Sequence, residues 1–239
     1  NIQWLRAGHV IVNNKQGLKY LTDISIHGLY ELNGNPLKLN EYRTLAYNGA
    51  RFDESNYGTI TAMGLTLLDS VNANITVANS TTLTIPDSTN LTVNGDIYLE
   101  EYASFINNGN FAVNGNVTTY KNCTLTNNDI LLIGSQYSNE HLGNTINNNG
   151  IIRTKNWQSD TSLVTWNMSN DSKLYVSGNF DGKNVYMGGT VVFDGVSKQT
   201  VQNIKSPIIV LENTSTQGTV FTSSISPSTL FTILQISTA

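Results

Sequence analysis

Charge, cysteine and histidine are all scarce in this chain, and each scarcity closes off a class of protein. Only 13% of the 239 residues are charged, against roughly a quarter in an average soluble domain. Uncharged Asn, Thr and Ser therefore supply most of the polarity. The formal net charge is only -4 and no basic cluster is present, so nucleic acid and anionic membrane surfaces are the partners least expected. The single cysteine, Cys123, excludes an intrachain disulfide and reads as a small inward-facing residue. Three histidines, His9, His27 and His141, lie apart and without metal-ligand spacing, so neither metal nor cofactor is expected. No Gly-x-Ser-x-Gly elbow, phosphate loop or nonapeptide calcium repeat occurs. No apolar run approaches the ~20 residues of a membrane-spanning helix, so no membrane insertion is expected. The start at Asn1 rather than Met leads to the expectation of either a mature form or an excised piece of a longer chain.

What the chain does have is Thr, Val, Ile, Asn and Gly in a repeat. Ile85 to Gly95 (IPDSTNLTVNG), Phe105 to Gly115 (FINNGNFAVNG), Leu125 to Ser135 (LTNNDILLIGS) and Thr145 to Lys155 (TINNNGIIRTK) follow one another every 20 residues. Leu91, Phe111, Leu131 and Ile151 then share a column, as do Val93, Val113 and Ile133. A period this short cannot bury its own apolar face, so each copy is one coil of a solenoid. The cleanest signature is Leu91-Thr92-Val93-Asn94-Gly95-Asp96-Ile97, repeated at Phe111 to Val117. Alternating apolar residues give a short strand with one face inward. Asn-Gly then reads as a corner in left-handed backbone conformation. A type I′ hairpin is the competing reading of Asn-Gly, but the unbroken phase favours corners.

Looser copies flank this region: Val10-Ile11-Val12-Asn13-Asn14, Tyr30-Glu31-Leu32-Asn33-Gly34 and Leu45-Ala46-Tyr47-Asn48-Gly49 upstream, Leu174 to Gly178 and Val191 to Gly195 downstream. The clean register runs from about Leu65 to Lys155. The 23-residue step from Ile151 to Leu174 predicts a three-residue insertion around Trp157 to Ser162. Residues 1–60 are expected to be N-terminal coils or a cap, and 61–239 the solenoid proper, continuous with them. Three short strands per coil, rungs about 4.8 Å apart and the right-handed rule for parallel connections together predict an all-β, right-handed parallel β-helix of about 20 residues per coil. Eleven or twelve rungs would make a rod on the order of 55 Å long. Asn107/Asn127/Asn147 and Asn108/Asn128/Asn148 should form side-chain amide ladders of the kind seen in cross-β stacks.

Three places could carry chemistry. Glu100, Tyr120 and Glu140 share a phase, putting two carboxylates two rungs apart, roughly 9 to 10 Å, at the upper limit of about 9.5 Å for an inverting glycosidase pair. Glu101, Lys121 and His141 share the neighbouring phase. Together they form a candidate ligand strip, with Tyr120 and Tyr137 as stacking platforms; the plainer reading is an exposed column with a Glu101–Lys121 pair worth at most about 1 kcal/mol. The Thr-x-Thr pairs Thr59/Thr61, Thr82/Thr84 and Thr124/Thr126 resemble ice-binding rows, but steps of 23 and 42 residues depart from the 20-residue phase. Trp4 and Leu5 near one end, and Phe231, Ile233 and Ile236 near the other, are candidates for capping or docking the open strand edges of a solenoid. Eight Asn-x-Ser/Thr sequons are about the number chance supplies.

The run Leu83 to Val117, and Val192-Phe193-Asp194-Gly195-Val196-Ser197-Lys198-Gln199-Thr200-Val201, resemble the repetitive β-solenoid regions of secreted bacterial surface proteins and adhesins. That resemblance covers about two thirds of the chain. It implies a non-catalytic extracellular stalk, filament or adhesive rod, self-associating or contacting neighbouring surface proteins. No catalytic residue is carried over with it. The alternative is a carbohydrate-binding or carbohydrate-processing β-helix.

Overall fold

The computed structural model describes the backbone of strands Leu5–Val12, Ile24–Leu32, Asn35–Leu39, Arg43–Ala46, Thr59–Ala62, Asp69–Val71 and Ser226–Ile233. It describes most of residues 74–223 with their side chains. Each coil contributes three short strands, one to each face of a β-solenoid. The first face stacks Thr82–Ile85, Ser104–Asn107, Thr124–Asn127, Thr145–Asn148 and Thr165–Met168, all parallel. The second carries Asn90–Val93, Asn110–Val113, the opening residues of Ile130–Asn139 and Ile151–Ser159, then Lys173–Val176, Thr190–Phe193 and the end of Lys205–Leu211. The third carries Asn74–Val77, Ile97–Leu99, Val117–Thr119, the closing residues of the same two long strands, Phe180–Asp181, Gln199–Gln202 and Thr219–Phe221.

The alternating apolar pattern becomes a continuous core because every rung points the same positions inward. Leu91, Phe111, Leu131, Ile152, Leu174, Val191 and Ile209 form one buried column. Ile75, Ile97, Val117, Tyr137, Trp157, Phe180 and Val201 form another, and Leu83, Phe105, Leu125, Ile146 and Trp166 a third. Stacking like with like keeps ring on ring: Tyr137 and Trp157 lie 4.0 Å apart, 18° from parallel.

Two polar columns run through the same interior. Asn107, Asn127 and Asn148 are fully buried; Asn107 Nδ2 donates to Asn127 Oδ1 at 2.8 Å and Asn127 Nδ2 to Asn148 Oδ1 at 2.9 Å. The same amides reach across the corner to the carbonyls of Ile130, Ile151 and Lys173, while Asn107 and Asn148 Oδ1 accept from Gly109 and Gly150 N–H. A buried amide is tolerated because its hydrogen bonds are made within the solenoid. The second column is Thr119, Asn139 and Ser159, joined by Asn144 and the Tyr137 hydroxyl. An outer ladder links Asn108, Asn128 and Asn149.

The ladders stand where expected but with a one-residue slip. Asn127 pairs with Asn148, 21 residues on, and Leu131 with Ile152, leaving Ile151 opposite Ile130. Asn147 belongs to the outward row, donating to Thr126 Oγ1 and accepting from Asn167. The run Asn147-Asn148-Asn149-Gly150-Ile151-Ile152 reads equally well in either register, which hides the slip. The expected insertion at Trp157 to Ser162 is also displaced. Trp157–Ser159 pair with Tyr137–Asn139 and Thr165 with Thr145, so that coil keeps its length. The extra residues fall at the corner between Met168 and Lys173, which pair with Asn148 and Ile151.

The corners differ from expectation too. No Asn-Gly corner of the described region uses a left-handed glycine; the positive φ values recur at Ser80, Tyr102, Asn122 and Gly143, one per rung, at the corner joining the third face to the first. At Asn114-Gly115 the glycine is needed for closeness instead, since a Cβ on Gly115 would lie 2.5 Å from the Gly95 carbonyl of the rung beneath. The looser copy at Tyr30 to Gly34 does not lead into a parallel rung: strands Ile24–Leu32 and Asn35–Leu39 pair antiparallel, with Leu32 opposite Asn35, and Asn33 and Gly34 themselves lie outside the described residues.

Candidate functional site

The third-to-first corner is where the sequence departs most from Asn and Gly, and Glu100, Tyr120 and Glu140 do meet there. Each follows directly on a third-face strand, and their N–H groups donate to the Val77, Leu99 and Thr119 carbonyls at 3.0, 2.9 and 3.1 Å. Glu100 Oε2 also accepts the Asn79 N–H at 3.1 Å. The Tyr120 hydroxyl and the Glu140 carboxylate have no hydrogen-bond partner among the described residues. Lys121 Nζ stands 4.0 Å from Glu101 Oε1, both about half exposed.

The neighbouring column needs correction. Ser80, Tyr102 and Asn122 N–H donate to the carbonyls of Glu101, Lys121 and Leu142, so Leu142, not His141, is the equivalent of Lys121. His141 is the extra residue that lengthens this coil to 21. Its ring stacks on Tyr120, with centroids 5.9 Å apart and 27° between planes. Tyr102 and Leu142, on the same run of corners, are 56% and 51% exposed. A cleft of about 290 Å³ runs along this corner, lined by Asn79, Glu100, Glu101, Tyr120, Lys121 and His141. Tyr137, expected as a second platform, is instead 1% exposed. Burial raises its hydroxyl well above the usual tyrosine range.

Nearby, Tyr98 donates its hydroxyl to Asp96 Oδ2 at 3.1 Å. Burial first, and the Asp96 charge second, push its pKa up to about 12. Cys123 is buried as expected, its thiol directed at the Glu100 and Leu99 carbonyls at 2.9 and 3.3 Å. Burial pushes that thiol up to about 11, against an opposing effect of its backbone hydrogen bonds.

Two further grooves have charged groups paired within the chain, although Trp157 Nε1 in the first and Asp194 Oδ1 in the second have no hydrogen-bond partner among the described residues. Over the third face, Asp181 in a groove of about 530 Å³ accepts from Gln202 and Asn203. Over the second, beside a groove of about 470 Å³, Arg153 pairs with Asp194 and lies 4.3 Å above the Tyr175 ring. Thr82, Ser104, Thr124, Thr145 and Thr165 do share one column, because the step from Thr82 to Ser104 is 22 residues. The departure from a 20-residue phase therefore does not separate Thr82 from Thr124. The adjacent column is interrupted by Ile106 and tied into amide bonds at Asn147, so the face is not a uniform hydroxyl lattice.

Among the described residues, no group of three or more His, Cys, Asp or Glu side chains is placed to hold a metal ion. Trp4 and Ile236 lie outside the described residues, as do the side chains of Leu5, Phe231 and Ile233. No known protein family, curated protein or solved structure matches the chain.

Proposed function

We propose that this chain is a non-catalytic structural module, a stiff length of an extracellular rod or filament that presents adhesive contacts along its sides. The observation that supports this reading is continuity along the axis. Seven rungs of the second face, from Leu91 to Ile209, stack in parallel without a break. Bonds parallel to the axis reinforce them at two corners: the Asn107/Asn127/Asn148 ladder at one, and at the other side-chain oxygens of Asn74 and Asp96 accepting the Asp96 and Asn116 N–H groups. From first to last, seven rungs span about 29 Å at the β spacing. Strand pairing is between adjacent rungs, with the Arg153–Asp194 pair reaching one rung further, so length can be added without redesigning the core.

The rod is tested by small-angle scattering and negative-stain imaging of the purified chain over a concentration series. Elongated particles that join end to end as concentration rises are expected. Monomers at every concentration overturn the end-to-end part of the proposal. Placement at the cell surface is tested by protease shaving of intact cells, where full protection of the chain counts against it.

A further inference from the structure

We infer that the third-to-first corner is a binding site for a neutral oligosaccharide lying along the solenoid axis, with the Tyr120–His141 ring pair as its platform. The site goes beyond the rod proposal and does not depend on it, because the cleft is complete within one chain. Four successive rungs contribute to it: Asn79, then Glu100 and Glu101, then Tyr120 and Lys121, then His141. Its long direction therefore follows the rungs for roughly 14 Å at the β spacing, which suits a linear ligand better than a compact one.

The chemistry of the walls selects the ligand class. A carboxylate and a phenol succeed one another at Glu100 and Tyr120, with the Glu140 carboxylate next in the column beyond the cleft lining, while a carboxylate and an ammonium succeed one another at Glu101 and Lys121. Acceptors and donors thus alternate along the cleft, and a ligand bearing both at every step, a polyol, can satisfy them. A basic peptide would have to pass Lys121, and an acidic one would face the two carboxylates of Glu100 and Glu101. The ring pair offers a flat apolar surface with a polar edge, the shape needed against the C–H face of a sugar ring. Small-ligand sites combine such surfaces with a few convergent polar groups.

The coil length adds a second, independent observation. His141 is the one residue by which this coil exceeds its predecessor, and it is the residue whose ring completes the pair. The corner between Met168 and Lys173, two residues longer than the one beneath it, is Ser-Asn-Asp-Ser and brings no ring. The lengthened corner also exposes Leu142 beside the rings.

The test is titration of the full chain, by calorimetry and by ¹⁵N chemical-shift mapping, with neutral hexasaccharides of glucose, mannose, xylose and N-acetylglucosamine, and with a lysine hexapeptide for comparison. Binding of at least one hexasaccharide is expected, with shifts centred on Glu100 to Ala103, Tyr120 to Asn122 and Glu140 to Gly143. Tyr120→Ala and His141→Ala should each weaken it by about tenfold or more, with circular dichroism unchanged. Tyr175→Ala, on the second face, should leave it intact. Absence of hexasaccharide binding at millimolar concentration, binding indifferent to Tyr120→Ala, or tighter binding of the lysine peptide at the same residues overturns the proposal. A compact, non-associating particle in scattering would overturn the rod and leave this site untouched.

Discussion

Replacing Asn127 by leucine, a side chain of nearly the same shape, tests whether the buried amide ladder holds the rungs in register. Asn127 is the middle rung of three and is fully buried. Its amide accepts from Asn107 at 2.8 Å and donates to Asn148 at 2.9 Å, to the Asp129 carbonyl at 3.0 Å and to the Ile151 carbonyl at 3.1 Å. Leucine removes all four. Asn107 keeps the Ile130 carbonyl at 2.9 Å and Asn148 keeps the Gly150 N–H at 3.3 Å, so both neighbours are left partly satisfied rather than orphaned. A buried polar group deprived of its partner costs about 1 to 3 kcal/mol. Two such neighbours, each half compensated, put the loss at about 1 to 3 kcal/mol.

Asn128 is the matched control. It occupies the next position in the chain, makes the same two amide contacts to Asn108 and Asn149 at 2.7 and 2.8 Å, and faces water. Water replaces its bonds, so Asn128→Leu should cost no more than about 0.5 kcal/mol. The assay is urea unfolding by circular dichroism, with amide hydrogen exchange to locate the damage. Coupling in a solenoid is between neighbours, so protection should fall first in the rungs of Asn107, Asn127 and Asn148. If Asn127→Leu costs no more than Asn128→Leu, the inner ladder is a passenger and apolar stacking alone sets the register.

Cys123 in the native chain should resist thiol reagents at pH 8, where its folded pKa of about 11 leaves little thiolate; modification at the rate of the urea-unfolded chain would refute its burial. Because Cys123, Tyr98 and Tyr137 all have folded pKa values above their unfolded ones, their contribution is intact below about pH 8.5 and is lost as the unfolded chain sheds protons first. The urea midpoint should therefore decline steadily between about pH 9 and 11, and Cys123→Ala should flatten that decline, by on the order of 2 kcal/mol at pH 11. Gly134→Ala should cost about 1 to 3 kcal/mol, since its Cβ would meet the Asn114 carbonyl at 2.7 Å; an unchanged melting curve would mean that the corner yields. Arg153→Met leaves Asp194, one of whose oxygens already lacks a partner, without its counter-charge; because the arginine is half exposed, the loss should be only about 1 to 2 kcal/mol, and Asp194→Asn in the same background should recover part of it.

The solenoid was legible because its faces are built from one repeated demand. An inward position on a stacked strand must be apolar, and Leu91, Phe111 and Leu131 satisfy that demand at fixed spacing. The corners obey no such rule, and the errors gather there. Asn-Gly at 94–95 and 114–115 reads as left-handed turns because those residues tolerate positive φ, yet the left-handed positions fall elsewhere, at Ser80, Tyr102, Asn122 and Gly143, and local propensity gives no reason to choose the first two. Their neighbours along the axis impose the conformation: in Ser80, Tyr102 and Asn122, the N–H reaches the carbonyl of the following rung. That is tertiary context overriding preference, and it has no local signal.

The displaced insertions follow from the same division. A face can slip by one residue unnoticed when both registers present acceptable side chains, as Ile151 and Ile152 do, and Asn147 with Asn148. The slip must then be absorbed at a corner, where length is unconstrained by packing. In this coil the absorbing residue could have been any small polar one, as at Ser169 to Ser172 between Met168 and Lys173. It is a histidine, set against the ring of Tyr120 in the rung below, between two carboxylates spaced by whole rungs. Solvent alone does not ask for a ring at that position. Deleting His141 should therefore restore a 20-residue coil with little loss of stability, while removing the platform; a deletion that unfolds the chain would instead make the extra residue a requirement of the core.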